Sequence, residues 1–202
     1  MNAYQIEQID ALNQAINNIG VLGSCQHDAI ASYVSFRRQL DQFTKRHFAA
    51  YCTRTCFESR TSACCSRDGI ITFWADVVIN IAHTDDHKID DLFAAIENPI
   101  FAEKCIYLGE NGCQWQIRPL GCALFLCDQV QEVVMAPRAD LRRQWEDFLS
   151  RAKGFRWPDR PVLFDHLERV FMDAGCRSPL MYINTSPGLL RIKKQAEGRD
   201  RC

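Results

Sequence analysis

Apolar positions recur along most of this chain with a helical period. Ile9, Leu12, Ile16 and Ile19 follow 3-4-3 spacing and predict a first helix, ended by Gly20 and Gly23. Tyr33, Phe36, Leu40, Phe43 and His47 follow 3-4-3-4 spacing and predict a second over roughly 28–50. The short Gly-containing break predicts that the two pack antiparallel. Thr72 can cap a third helix, Phe73–Ala82, and Thr84 a fourth over 85–97, closed by Asn98-Pro99. Asp140 can cap a helix to about residue 152, and Asp159 or Pro161 can open one to about 174, stopped by Gly175. A last helix is expected from Ser186 to Gln195, with Pro187 at its first position.

The clearest strand is Cys105-Ile-Tyr-Leu108, followed by the turn residues Gly109-Glu-Asn-Gly112. The pattern therefore predicts a mainly α protein with a small central cysteine-rich module that contains a short hairpin or a loop. Three segments follow: an N-terminal helical hairpin (1–51), a cysteine module with inserted helices (52–130), and a C-terminal helical region (131–202). One compact unit can hold all three.

Composition changes this picture little, except at cysteine. The 202 residues are 47% hydrophobic and 24% charged, as in globular proteins, which excludes wholesale disorder. Net charge is −1, so no strong field exists to hold nucleic acid or an anionic membrane. No 18-residue apolar run is present, and the N-terminus lacks the basic and apolar regions of a signal peptide. Cysteine occurs 11 times, an odd number that includes the adjacent Cys64 and Cys65. A reducing, cytoplasmic setting is expected, where clustered thiols bind metal or do chemistry.

Eight of the 11 cysteines lie between Cys52 and Cys127, in two groups. The first is Cys52, Cys56, Cys64 and Cys65; the second is Cys105, Cys113, Cys122 and Cys127. Metal sites are commonly built from two such groups. Thiolates suit zinc, a mononuclear iron or an iron–sulfur cluster, and spacing alone does not separate these.

Cys52 and Cys56 share a face if the second helix continues. Adjacent side chains diverge by about 100° on a helix, so Cys64 and Cys65 are expected to serve one metal only if their loop is irregular. Pro119 can start a helix with Cys122 in its first turn, where the dipole favours a thiolate. Arg118 can offset the charge of a bound group or donate to sulfur. Cys127 lies about 140° around that helix from Cys122 and is expected to point elsewhere. A hairpin with Glu110-Asn111-Gly112 as its loop would separate Cys105 from Cys113 by about 13 Å. Either the segment wraps as a loop around one metal, or these two cysteines serve different sites. Cys25, Cys176 and Cys202 are expected to be incidental. Trp74, Trp115, Trp145 and Trp157 are expected in the core, and Tyr107 with Trp115 can screen a metal group from water.

The pattern Cys52-x3-Cys56, Cys64-Cys65, then Cys105-Ile-Tyr-Leu, Cys113 and Arg118-Pro119-x2-Cys122 resembles the YkgJ-like cysteine-cluster family of zinc- or iron-chelating domains. The Arg-Pro-x2-Cys half is the more specific match. The first half departs from the family pattern by the seven residues between Cys56 and Cys64. The resemblance implies metal binding by Cys52, Cys56, Cys64, Cys65, Cys105, Cys113 and Cys122, with Arg118 against the bound group. An iron–sulfur cluster, with a redox role and a protein or redox partner, is the first expectation. A zinc-stabilised interaction module is the second. A metal-dependent enzyme that modifies a peptide or protein is the third, because a flagellin lysine methylase carries a similar cysteine domain.

Overall fold

The computed structural model describes residues 1–59, 61, 63–66, 72–156 and 162–199. The expected helix start at Asp159 or Pro161, Trp157 and Cys202 lie outside the described residues.

The chain is mainly helical. Helix α1 (Ala3–Asn18) begins with a reciprocal cap: the Gln5 N–H donates to Asn2 Oδ1 at 2.9 Å, and the Asn2 N–H donates to Gln5 Oε1 at 2.7 Å. Its buried face is Gln5, Gln8, Ala11, Leu12 and Ala15. The isoleucine stripe is therefore a correction, since Ile16 is exposed and Ile9 only half-buried. The alanines let α1 lie close against α4 (Trp74–His83). The two glutamines are buried because each finds a partner, Gln5 Nε2 on the Ile96 carbonyl and Gln8 Oε1 under the Tyr107 hydroxyl.

Helix α2 (Ser24–His47) buries Tyr33, Phe36, Leu40 and Phe43 as expected. It does not pair chiefly with α1. Tyr33 meets Phe155 and Phe164 edge-on at 5.2 and 5.6 Å, and Phe43 stacks on Trp145. These rings come from α8 (Ala139–Arg156) and α9 (Leu163–Asp173), so aromatic complementarity sets the partner. A single turn, α3 (Ala49–Cys52), leads into a π-turn over Thr53–Phe57.

Helix α4 is the central element, with Trp74 through Asn80 all buried. It packs against α1 and α9. Its N-terminus is set by Asp76, whose Oδ2 accepts the Phe73 N–H at 3.0 Å, and not by Thr72. Helix α5 (Asp86–Glu97) starts after Asp85 and packs Ile89, Leu92 and Ile96 inward. Strands β1 (Leu108–Gly109) and β2 (Gly112–Cys113) form a two-stranded antiparallel hairpin. The remaining helices are α6 (Leu120–Ala123), α7 (Asp128–Val130) with a π-turn after it, α10 (Tyr182–Thr185) and α11 (Pro187–Arg199). One hydrophobic core draws residues from all three segments of the chain. Among the described residues, no helix is long and apolar enough to cross a membrane.

Two buried acids stand out. Burial raises Asp76 from 3.8 to about 6, against the opposing pull of the Phe73 and Leu120 N–H groups. Burial likewise raises Glu168 from 4.5 to about 7, although it accepts the Asn184 N–H at 3.0 Å. In both, the folded chain holds a proton that the unfolded chain has already lost. This contribution is complete below the ordinary carboxylate range and is lost as pH climbs through 6 and then 7. The melting temperature should therefore fall as pH is raised from about 5 to about 8. Glu168→Gln should flatten the upper part of that slope; an unchanged profile would remove Glu168 from the account.

Candidate metal centre

The segment 117–120 is held by three buried polar side chains on α2 and α4. Asn80, fully buried, accepts the Ile117 N–H on Oδ1 at 3.0 Å and donates Nδ2 to the Ile117 carbonyl at 2.9 Å. Asp76 Oδ1 accepts the Leu120 N–H at 3.0 Å. Arg37, 1% exposed, donates Nη1 to the Arg118 carbonyl at 2.5 Å. The loop thus has its main-chain groups satisfied from below, and its turn is fixed against rigid helices.

Helix α6 is one turn long with Pro119 at its N-cap. Cys122 lies within that turn, as expected. A single turn carries little macrodipole, and its first N–H already belongs to Asp76, so no helix dipole favours the Cys122 thiolate. Arg118 supplies the charge. Its Nη2 donates to the Cys122 carbonyl at 3.1 Å, which folds the guanidinium over its own turn.

The hairpin register differs from the three-residue loop. Gly109 pairs with Gly112 and Leu108 with Cys113, leaving Glu110-Asn111 as the loop. Gly112 has φ of 110°, which only glycine adopts cheaply. The ladder is too short to carry Cys105 away. The Leu108 N–H bonds the Cys105 carbonyl at 2.9 Å, a turn that bends Cys105 back toward Cys113. The segment therefore wraps.

The first group arrives by backbone pairing. The Cys105 N–H donates to the Cys65 carbonyl at 2.9 Å, and Ser66 and Lys104 form an antiparallel bridge. As a result Cys64, Cys65, Cys105, Cys113 and Cys122 line one small pocket, with Tyr107, Trp115, Arg118 and Pro119. Its cavity is about 20 Å³.

Cys64 and Cys65 occupy a 3₁₀ turn (Ala63–Cys65), and their sulfurs are 4.0 Å apart. The two sulfurs come this close although adjacent side chains on a 3₁₀ turn diverge by about 120°. The two thiols share a hydrogen bond. That contact, aided by Arg118 against burial, lowers the Cys64 thiol and pushes the Cys65 thiol upward.

Cys105 and Cys113 repeat one local design. The main-chain N–H two residues on, Tyr107 for Cys105 and Trp115 for Cys113, favours the thiolate of each. Burial raises both thiols, Cys105 to about 11, while these N–H groups and Arg118 oppose it. A sulfur that accepts a backbone N–H is stabilised as thiolate, the form that ligates metal. Trp115 is 3% exposed, and its Nε1–H has no hydrogen-bond partner.

Cys52 and Cys56 are not among the residues lining the pocket. Cys52 ends α3 and Cys56 lies in the π-turn that follows, and the two remain neighbours. Burial raises the Cys52 thiol, followed by the influence of Cys127, Cys64 and Cys56. Cys127 does not line the pocket and lies beyond the end of α6, so the expected angle from Cys122 does not apply; it lies near enough to Cys52 to raise that thiol, a neighbour that spacing did not identify. Cys25 is exposed and Cys176 is buried in the core. Among the described residues, no three His, Cys, Asp or Glu side chains already converge as a set that could hold a metal ion.

The donor set nevertheless fits a thiophilic metal group. Five cysteines, whose sulfurs are soft donors, line one cavity, backbone N–H groups favour the thiolates of two of them, Arg118 lines the same cavity, and an orphaned N–H belongs to its lining. Spacing missed Asn80, Asp76 and Arg37. The available signal was Asp76 and Asn80 four apart in the otherwise apolar run Phe73–Ala82. No family model, curated protein or solved structure matches this chain.

Proposed function

We propose that the chain is a metal-centre protein that holds an iron–sulfur cluster between the Cys64–Cys65 turn and the 105–122 segment. The observation that carries this reading is five cysteines and Arg118 on one pocket. Cys64, Cys65, Cys105, Cys113 and Cys122 are the ligand candidates, and Arg118 offsets the charge of an anionic group. A cluster there supplies one-electron transfer, with its potential set by burial and by hydrogen bonds to sulfur. Tyr107 and Trp115, both buried, exclude water. The resemblance to the YkgJ-like family points the same way, and a reducing, cytoplasmic setting suits so many free thiols.

Cys52 and Cys56 become supporting thiols in this reading, with Cys127 beside them. A single zinc ion is the second reading. The cavity of about 20 Å³ favours it, because that space suits one ion without rearrangement.

Anaerobic purification with metal and sulfide analysis decides between them. The expected result is coloured protein with iron and acid-labile sulfide, bleached by dithionite. Colourless protein with stoichiometric zinc would sink the cluster reading and leave the zinc one. Protein that retains neither would sink both.

A further inference from the structure

Among the described residues, two tryptophans bury an indole N–H without a partner, Trp74 and Trp115. They differ in what they face. Trp74 lies in the core against Phe171, with ring centroids 5.5 Å apart. Trp115 lines the cysteine pocket. An indole nitrogen is a donor only, and a buried donor is normally satisfied. The nearest ring offers Trp115 no evident relief. Tyr107 packs on it at 4.9 Å, but its hydroxyl is directed to Gln8 Oε1 at 2.6 Å. The main-chain N–H of the same Trp115 favours the Cys113 thiolate.

We infer that the Trp115 indole N–H is a hydrogen-bond donor to a sulfur of the occupied pocket, a thiolate or an inorganic sulfide. Thiols accept weakly and anionic sulfur accepts well, so the donor gains its partner only when the pocket is loaded. Trp115 then does more than screen the site from water. Together with the Tyr107 and Trp115 main-chain N–H groups it favours the more negative, reduced state. It is a positioning and tuning residue. The inference rests on the metal reading above, and its test separates the two.

The full chain is reconstituted anaerobically with iron and sulfide, as the parent and as the Trp115→Phe and Trp74→Phe variants. Trp115→Phe should show a lower reduction potential at unchanged iron and sulfide content, and Trp74→Phe the parent's potential. Equal potentials in the parent and Trp115→Phe overturn this inference while the cluster stands. A parent that retains no metal overturns the metal reading and this inference with it. If the parent holds zinc instead, or Trp115→Phe loses its cluster, the indole N–H resonance of isotope-labelled parent protein decides. A Trp115 resonance that moves downfield on loading supports the donor role. One that does not move removes it.

Discussion

Cys122→Ser should lose most of its bound metal, while Cys176→Ser should keep the parent's content. Cys122 lines the pocket and stands on the turn that Arg118 folds over. Serine is nearly isosteric, so the fold is spared while a soft thiolate becomes a hard, neutral hydroxyl. Losing an outer partner of a metal ligand costs about 10–100-fold in affinity, and losing a ligand itself should cost at least that. Cys176 is 3% exposed in the core, away from the pocket, and serves as the matched control. Metal content after gel filtration, together with far-ultraviolet circular dichroism, checks the pair. Equal metal in both variants would contradict the assignment of Cys122.

Asn80→Leu should destabilise the fold by about 2–5 kcal/mol and weaken metal loading as well. The change removes both partners of Ile117 at once, leaving its N–H and carbonyl without their side-chain partner beneath the Arg118 turn. Orphaning a buried polar group costs about 1–3 kcal/mol, and two are orphaned here. Leucine fills the space, so the loss reports hydrogen bonding more than volume. Urea unfolding of the metal-free protein gives the stability term, and metal titration gives the loading term. A change within about 0.5 kcal/mol would show that the turn holds itself without α4.

The longer helices were legible because spacing and caps such as Pro187 and Asn98-Pro99 mark them locally, whereas the single turns α7 and α10 carried no such signal. Their partners were less so. Apolar spacing picked the isoleucine face of α1, yet alanines and satisfied glutamines pack there, and no hydropathy pattern marks a glutamine that will find a carbonyl 91 residues away. The cysteine grouping was legible as composition and position. Its geometry was not, since the hairpin register turned on whether Glu110-Asn111 or Glu110-Asn111-Gly112 forms the loop. The 3₁₀ turn at Cys64-Cys65 and the π-turn at Cys56 carry no spacing signal of their own, so neither was foreseen.

The bond from the Cys105 N–H to the Cys65 carbonyl has a consequence for how loading is felt through the molecule. Between these residues the chain makes a long excursion that contains all of α4 and α5. A metal bridging the two cysteine groups, as proposed, acts as a clasp at the neck of that excursion. Closing a loop of such length by a covalent cross-link removes on the order of 3–5 kcal/mol of freedom from the unfolded chain. The central helix that supports the pocket from below would then itself be secured by what the pocket holds, so that the scaffold and its cargo stabilise one another.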